Sequence, residues 1–172
     1  MVYSSSDWSW LQDTYWYVQT DGLPALQLDV DDNSLSWIVD QTVWHITGYQ
    51  QGYFWGVSAT AVMDDSGREQ EPRPVCFTML GTITPEGNVH LTFIPARNSS
   101  STTIGIGLVR EQNASFTFEM QMSSGKDTLT AHWAYMARVR PEDPAWNNLP
   151  GVNISVPEML KRCKPPKVKE DR

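Results

Sequence analysis

The chain has 172 residues, 40% of them hydrophobic, with eight tryptophans and a formal net charge of -7. That length suits one domain with a sizeable core. The charge is uneven: residues 161–172, KRCKPPKVKEDR, hold six of the thirteen Lys and Arg, so residues 1–160 carry seven bases (one of them a lysine, Lys126) against eighteen acids, a net of -11. A body this acidic repels phosphate backbones, which excludes nucleic acid as a partner.

In chain order, MVYSSSDWSW turns polar at once and offers no apolar leader. No later apolar run approaches the roughly 20 residues that span a bilayer. The expectation is a cytoplasmic protein with no membrane span. From about residue 13 the chain becomes a series of strand-like runs separated by turn signals. DTYWYVQT leads to DGLP, LQLDV to DDNS, and LSWIVD runs close to TVWHITGY. QQG then returns the chain to YFWGVSATAVM, and the loop DDSGREQEPRP precedes VCFTMLGTI. TPEGN turns into NVHLTFIPA, RNSSS into TTIGIGLVR, EQNA into SFTFEMQM, and SSGKD into TLTAHWAYMARV.

That gives eight to ten strands, most of them adjacent hairpins, with no long helical period between them. Such a meander removes its edges by closing into an up-and-down barrel. About eight strands leave an interior filled by side chains or holding one small ligand. A two-sheet sandwich is the competing architecture. After the Pro-rich stretch RPEDPAWNNLPG, Ser155 with Glu158 three residues on forms a capping box, and Pro157 suits a first helical turn. A short helix over 156–163 is expected to plug or cover one barrel end. The division is therefore a barrel over 1–142, an irregular segment and helix over 143–163, and a basic disordered tail over 164–172.

The strand plan of residues 8–140, with an aromatic first strand and a C-terminal helix, resembles the calycin superfamily of lipocalins, avidins and their relatives. Asp13-Thr14-Tyr15-Trp16-Tyr17 is similar to the lipocalin opening Gly-x-Trp-Tyr, with Thr14 where the glycine belongs. The resemblance implies a hydrophobic or amphipathic ligand in the barrel mouth and no particular activity.

Alternation sorts each strand into two faces. Phe116, Phe118, Met120 and Met122 share one face of their strand, and Leu129, Trp133 and Tyr135 one face of theirs. Such apolar faces read either as plain core or as the soft wall of a pocket for a flat guest. The candidate walls are Trp44, Phe54, Phe116, Phe118, Met120 and Trp133, with Tyr53 and Tyr135 as polar anchors. The opposite faces carry Thr, Glu, Gln and His, which point to water if the sheet has one wet side. If instead that face turns inward, His90, Glu119 and His132 converge on a lumen with Thr92, Thr117 and Thr130, beside Gly105 and Gly107. A histidine beside a carboxylate suits acid/base work near neutral pH.

No nucleophile elbow, phosphate-binding glycine loop or metal-ligand spacing is present. Neither a cofactor nor a metal is expected. Cys76 and Cys163 make no disulfide framework, and Cys76 reads as a small buried hydrophobe. Sequons at Asn98, Asn113 and Asn153 and the acidic pairs Asp31-Asp32 and Asp64-Asp65 read as turn formers. Three functions remain open. One is binding of a small hydrophobic or aromatic metabolite inside the barrel. Another is a cofactor-free isomerase, hydratase or decarboxylase with Glu119 or a histidine as base. The third is an interaction protein whose aromatic surface is a homodimer seam.

Overall fold

The computed structural model describes residues 7–21, 23–63, 73–96, 102–112, 115–125 and 127–169. Asp64, Asp65, Asn98, Asn113, Lys126 and the side chain of Met122 lie outside the described residues. Nine strands follow one another: β1 (Thr14–Val18), β2 (Leu23–Asp29), β3 (Ser34–Gln50), β4 (Tyr53–Met63), β5 (Val75–Ile83), β6 (Asn88–Pro95), β7 (Thr102–Gln112), β8 (Ser115–Gly125) and β9 (Thr128–Val139). Every pairing is antiparallel, and each strand from β3 to β9 pairs with the next.

The sheet closes through a shared position. β1 pairs with the C-terminal half of β3 and of β9, whereas β2 pairs with their other halves. β1 and β2 therefore lie end to end as one interrupted stave, and nine strands make an eight-stave closed barrel. At the gap between them the buried Gln41 side chain supplies the missing ladder. Its Oε1 accepts from Val18 N at 3.1 Å and its Nε2 donates to Val18 O at 3.0 Å and to Pro150 O at 3.0 Å.

The β3–β4 hairpin turns on Gln51 (φ 50°) and Gly52 (φ 86°). Two consecutive positive φ values match the right-handed twist of the flanking strands, and glycine holds the second without strain. The runs 35–40 and 42–49, separate in the sequence reading, form one strand of 17 residues with a bulge between Ile46 and Gly48. The Trp55 ring lies where a Gly48 side chain would be, since a Cβ there would sit 2.3 Å from it.

The interior is filled at one end. Trp16, Trp44, Phe54, Met79, Leu91, Phe118, Met120 and Met136 are almost fully buried and form one cluster. A 3-10 turn over Ser9–Leu11 closes that end, with Trp10 packed on Phe116 at 4.1 Å between ring centres. Gly105 and Gly107 face this core. Met120 occupies the space a Gly105 side chain would need, with its Cε 2.6 Å from the ideal Cβ position, and at Gly107 the Glu119 carbonyl oxygen, 1.8 Å from the ideal Cβ, excludes one together with the Met120 sulfur at 2.5 Å.

Helices α1 (Pro144–Asn147) and α2 (Val156–Leu160) follow the barrel. Ser155 caps α2 by accepting from Glu158 N at 3.2 Å, as its spacing predicts. The segment does not plug an end. Val156 and Met159 pack on Val43, Ala59, Ala61 and Val139, which face outward from β3, β4 and β9. It is also anchored covalently: Cys163 is bonded to Cys76 on β5, with an S–S distance of 2.02 Å across 87 residues of sequence. Cys76 is therefore half of a cystine on the outer wall and not an isolated core thiol. Residues 164–169 carry no secondary structure.

Candidate functional site

The other end of the barrel is open and polar. It encloses a cavity of about 190 Å³. Three strands supply its polar wall. β3 turns Asp40 and Thr42 inward, two and one inward steps beyond Trp44. β4 contributes Ser58 and Thr60. β9 contributes Thr130 and His132. Gln27 of β2 and Thr103 of β7 complete the polar set, while Ile38, Val62, Phe77 and Phe93 supply apolar faces. Trp44 lies beneath this cup, opposite Ser58 in register and 5.8 Å from Phe93 between ring centres.

Several wall groups satisfy one another. The Thr42 and Thr60 hydroxyls lie 2.9 Å apart, and Gln27 Nε2 donates to Thr130 Oγ1 at 3.3 Å. Two do not. Asp40 is 6% exposed and its Oδ1 has no hydrogen-bond partner among the described residues. Burial pushes its carboxyl up to about 7. His132 Nδ1 is also buried without a partner, and burial lowers the pKa of its imidazole, favouring the neutral ring. A buried polar atom left unpaired costs about 1–3 kcal/mol, so such groups point to something outside the chain that completes them. Trp44 Nε1 is likewise unpartnered, but its ring is fully buried below the cup.

The residues singled out from sequence divide three ways. Trp44, Phe54, Phe118 and Met120 do face the interior, but as packed core with 0–1% exposure. Phe116 sits at the closed end against Trp10. Tyr53, Trp133 and Tyr135 point outward, 59%, 58% and 40% exposed, so they do not wall the interior. With Trp37 and Leu35 on β3 and Leu129 on β9, the two β9 rings leave an apolar stretch of outer wall.

The convergence of His90, Glu119 and His132 does not form. His132 faces the cup with Thr130. His90 is exposed on the outer wall, in register with Ile106 and Thr82. Glu119 is also outside, where Arg110 Nε lies 3.1 Å from its Oε2. In β9 Thr130, His132 and Met136 face inward, and the rings of Trp133 and Tyr135 face out, so the aromatic side of that strand is the reverse of the inner side. Sequence reasoning missed Asp40 altogether. Its signal was its phase: Asp40, Thr42, Trp44 and Ile46 share one strand face.

What the cup does chemically follows from this inventory. Among the described residues its only ionising groups are Asp40 and His132, and no lysine or arginine lines it. No group of three or more His, Cys, Asp and Glu side chains gathers among the described residues, so these two have no third metal ligand. No helix among them is long and apolar enough to cross a membrane. Searches with the whole sequence and structure are silent: no protein-family profile, curated protein or solved structure matches the chain significantly.

Proposed function

We propose that the barrel binds one small organic molecule in the cup at its open end. The observation that carries this is the pair of buried, unpartnered polar atoms, Asp40 Oδ1 and His132 Nδ1, on the wall of one cavity. A guest would rest its apolar part on Phe77 and Phe93 and its polar group on this pair. Concave sites of mixed apolar and convergent polar lining are the usual form of a small-molecule site. The volume sets the size. A dry cavity near 150 Å³ holds a benzene ring, so about 190 Å³ suits a guest of roughly eight heavy atoms. The calycin-like plan read from the sequence is in keeping with a carrier of this kind.

The cystine supports an oxidising compartment in place of the cytoplasm, since glutathione and thioredoxin keep cytosolic thiols reduced. A second reading has one observation in its favour. A carboxyl near 7 and a neutral imidazole on the wall of one cavity are matched to general acid/base work. In that case Asp40→Asn lowers turnover by about 10²-fold or more while guest affinity survives.

The test of binding is native mass spectrometry of the protein purified from its own source, followed by gentle denaturation. The expected result is a retained compound of roughly eight heavy atoms that is absent from a Val62→Trp variant, in which an indole at the rim fills the mouth. A compound retained equally by that variant contradicts binding in the cup.

A further inference from the structure

The cup's charge balance narrows the guest. We propose that it is a small primary or secondary ammonium ion, held with Asp40 as its counter-ion and its hydrocarbon part against Phe77 and Phe93. This rests on the cup being the binding site and adds the chemical class of what enters it.

Asp40 is a carboxyl with 6% exposure, an unpartnered Oδ1 and no cationic side chain among the described residues of the wall. An ionised carboxylate in such a place is costly unless it is paired. The described residues offer no partner, so the charge is relieved either by a proton or by a cation arriving with the guest. An anionic guest meets the opposite problem. No lysine or arginine among the described residues of the cup neutralises a carboxylate or phosphate, and the first 160 residues carry a net charge of -11. That field favours cations at the mouth. The remaining polar wall groups are neutral hydroxyls, one amide and an imidazole that burial holds uncharged. The Phe77 and Phe93 rings add faces on which an ammonium or its adjacent methylenes settle favourably.

The charge pairing couples binding to pH. Asp40 on β3 and His132 on β9 are the titratable groups facing the cup among the described residues; the wall side chains of β2, β4, β5, β6 and β7 do not ionise. Below about pH 7 the Asp40 carboxyl holds a proton that the ammonium must displace. Amine affinity then falls about tenfold per pH unit as pH drops. It is flat above that point until the amine itself loses its charge. Protonation of His132 at lower pH steepens the loss, because it places a second positive charge in the cup.

The test is calorimetric titration of the full chain with two matched trios, one aryl (phenethylamine, phenethyl alcohol, phenylacetate) and one alkyl (butylamine, butanol, butyrate). At about pH 8 the amine of at least one trio binds tenfold or more tighter than its alcohol, and the carboxylate does not bind. Asp40→Asn brings amine and alcohol within about threefold, and Val62→Trp abolishes both. If Asp40→Asn does not fold, the pH slope of the wild-type amine affinity decides in its place. Alcohols or carboxylates that bind as well as the amines, and are lost in Val62→Trp, overturn the ammonium assignment and leave the cup as the site. Amine binding that survives Val62→Trp is attraction to the acidic surface and overturns the assignment too. Binding by no member of either trio contradicts the ammonium proposal and the cup reading together.

Discussion

The two ends of this barrel are built from the same strands to opposite rules. At the closed end Trp16 packs on Phe118 at 4.4 Å between ring centres, and its Nε1 donates to Thr14 Oγ1 at 2.9 Å. The unpartnered buried polar atoms there, among the described residues, are neutral indole nitrogens of packed rings, Trp8 Nε1 and Trp44 Nε1, and Met120 lies against Gly105 and Gly107. At the open end the same β3 that carries Trp44 and Ile46 turns Asp40 and Thr42 into a cavity, and two polar atoms stay without partners. One end stores stability and the other forgoes some of it. That division is expected where a fold holds a site, because binding groups left unsatisfied in the free protein cost stability.

Changes at the closed end should be the largest. Trp16→Ala removes a fully buried indole and is expected to cost about 4 kcal/mol, measured by urea denaturation. Thr60→Ala in the cup removes one hydroxyl bond and should cost about 1 kcal/mol. Equal losses at the two sites would erase the distinction between them.

Asp40→Asn should move stability in the opposite direction. The folded-state pKa is raised from 3.8 to about 7, so between those values the folded state binds the extra proton and stability declines as pH rises. Removing the carboxyl is therefore expected to stabilise the protein by roughly 4 kcal/mol above pH 7. The gain should shrink as pH falls and vanish below about pH 4. A melting series across that range reads it, and a variant destabilised at every pH would mean that Asp40 has a partner in the folded protein.

His132 carries the opposite sign at smaller size. Its pKa is lowered by burial, so the wild type loses stability as pH drops below 6.5, where the unfolded chain takes up the proton first. His132→Gln should flatten that acid limb and leave stability near pH 8 almost unchanged. Last, Glu119→Gln outside the barrel alters the part-exposed pair with Arg110 and the hydrogen bond with the Tyr135 hydroxyl. It should change stability by no more than about 0.5 kcal/mol, and it should leave guest binding in the cup untouched.

Much of the closed end was legible in the sequence. The hairpin signals are local: Gln51-Gly52 and Pro85-Glu86-Gly87 sit between alternating runs, and the strands form where those runs predict. Trp16, Trp44 and Phe118 are inside because large rings in phase with other apolar residues leave little choice. The open end was harder for the same reason. Asp40 and Gln41 interrupt the apolar pattern of β3 and look like a turn. In the folded chain one faces the cup and the other mends the ladder beside Val18. β9 misleads in reverse. Its outer wall carries Trp133 and Tyr135 while its inner wall carries His132, so hydrophobicity alone assigns the faces backwards. The cystine had no local signature at all. Its halves are 87 residues apart and meet only because the C-terminal segment lies along the outer wall.

The central claim is that recognition belongs to the open end. It is tested most directly by backbone-amide NMR of the full chain while small fragments, the matched amines among them, are titrated in. The account predicts that shift changes concentrate around residues 38–42, 58–62 and 130–132, with the Asp40 amide among the largest, and that residues 8–16 at the closed end stay still. Changes centred on the outer wall around Trp37, Trp133 and Tyr135, or spread through the closed end, would contradict it.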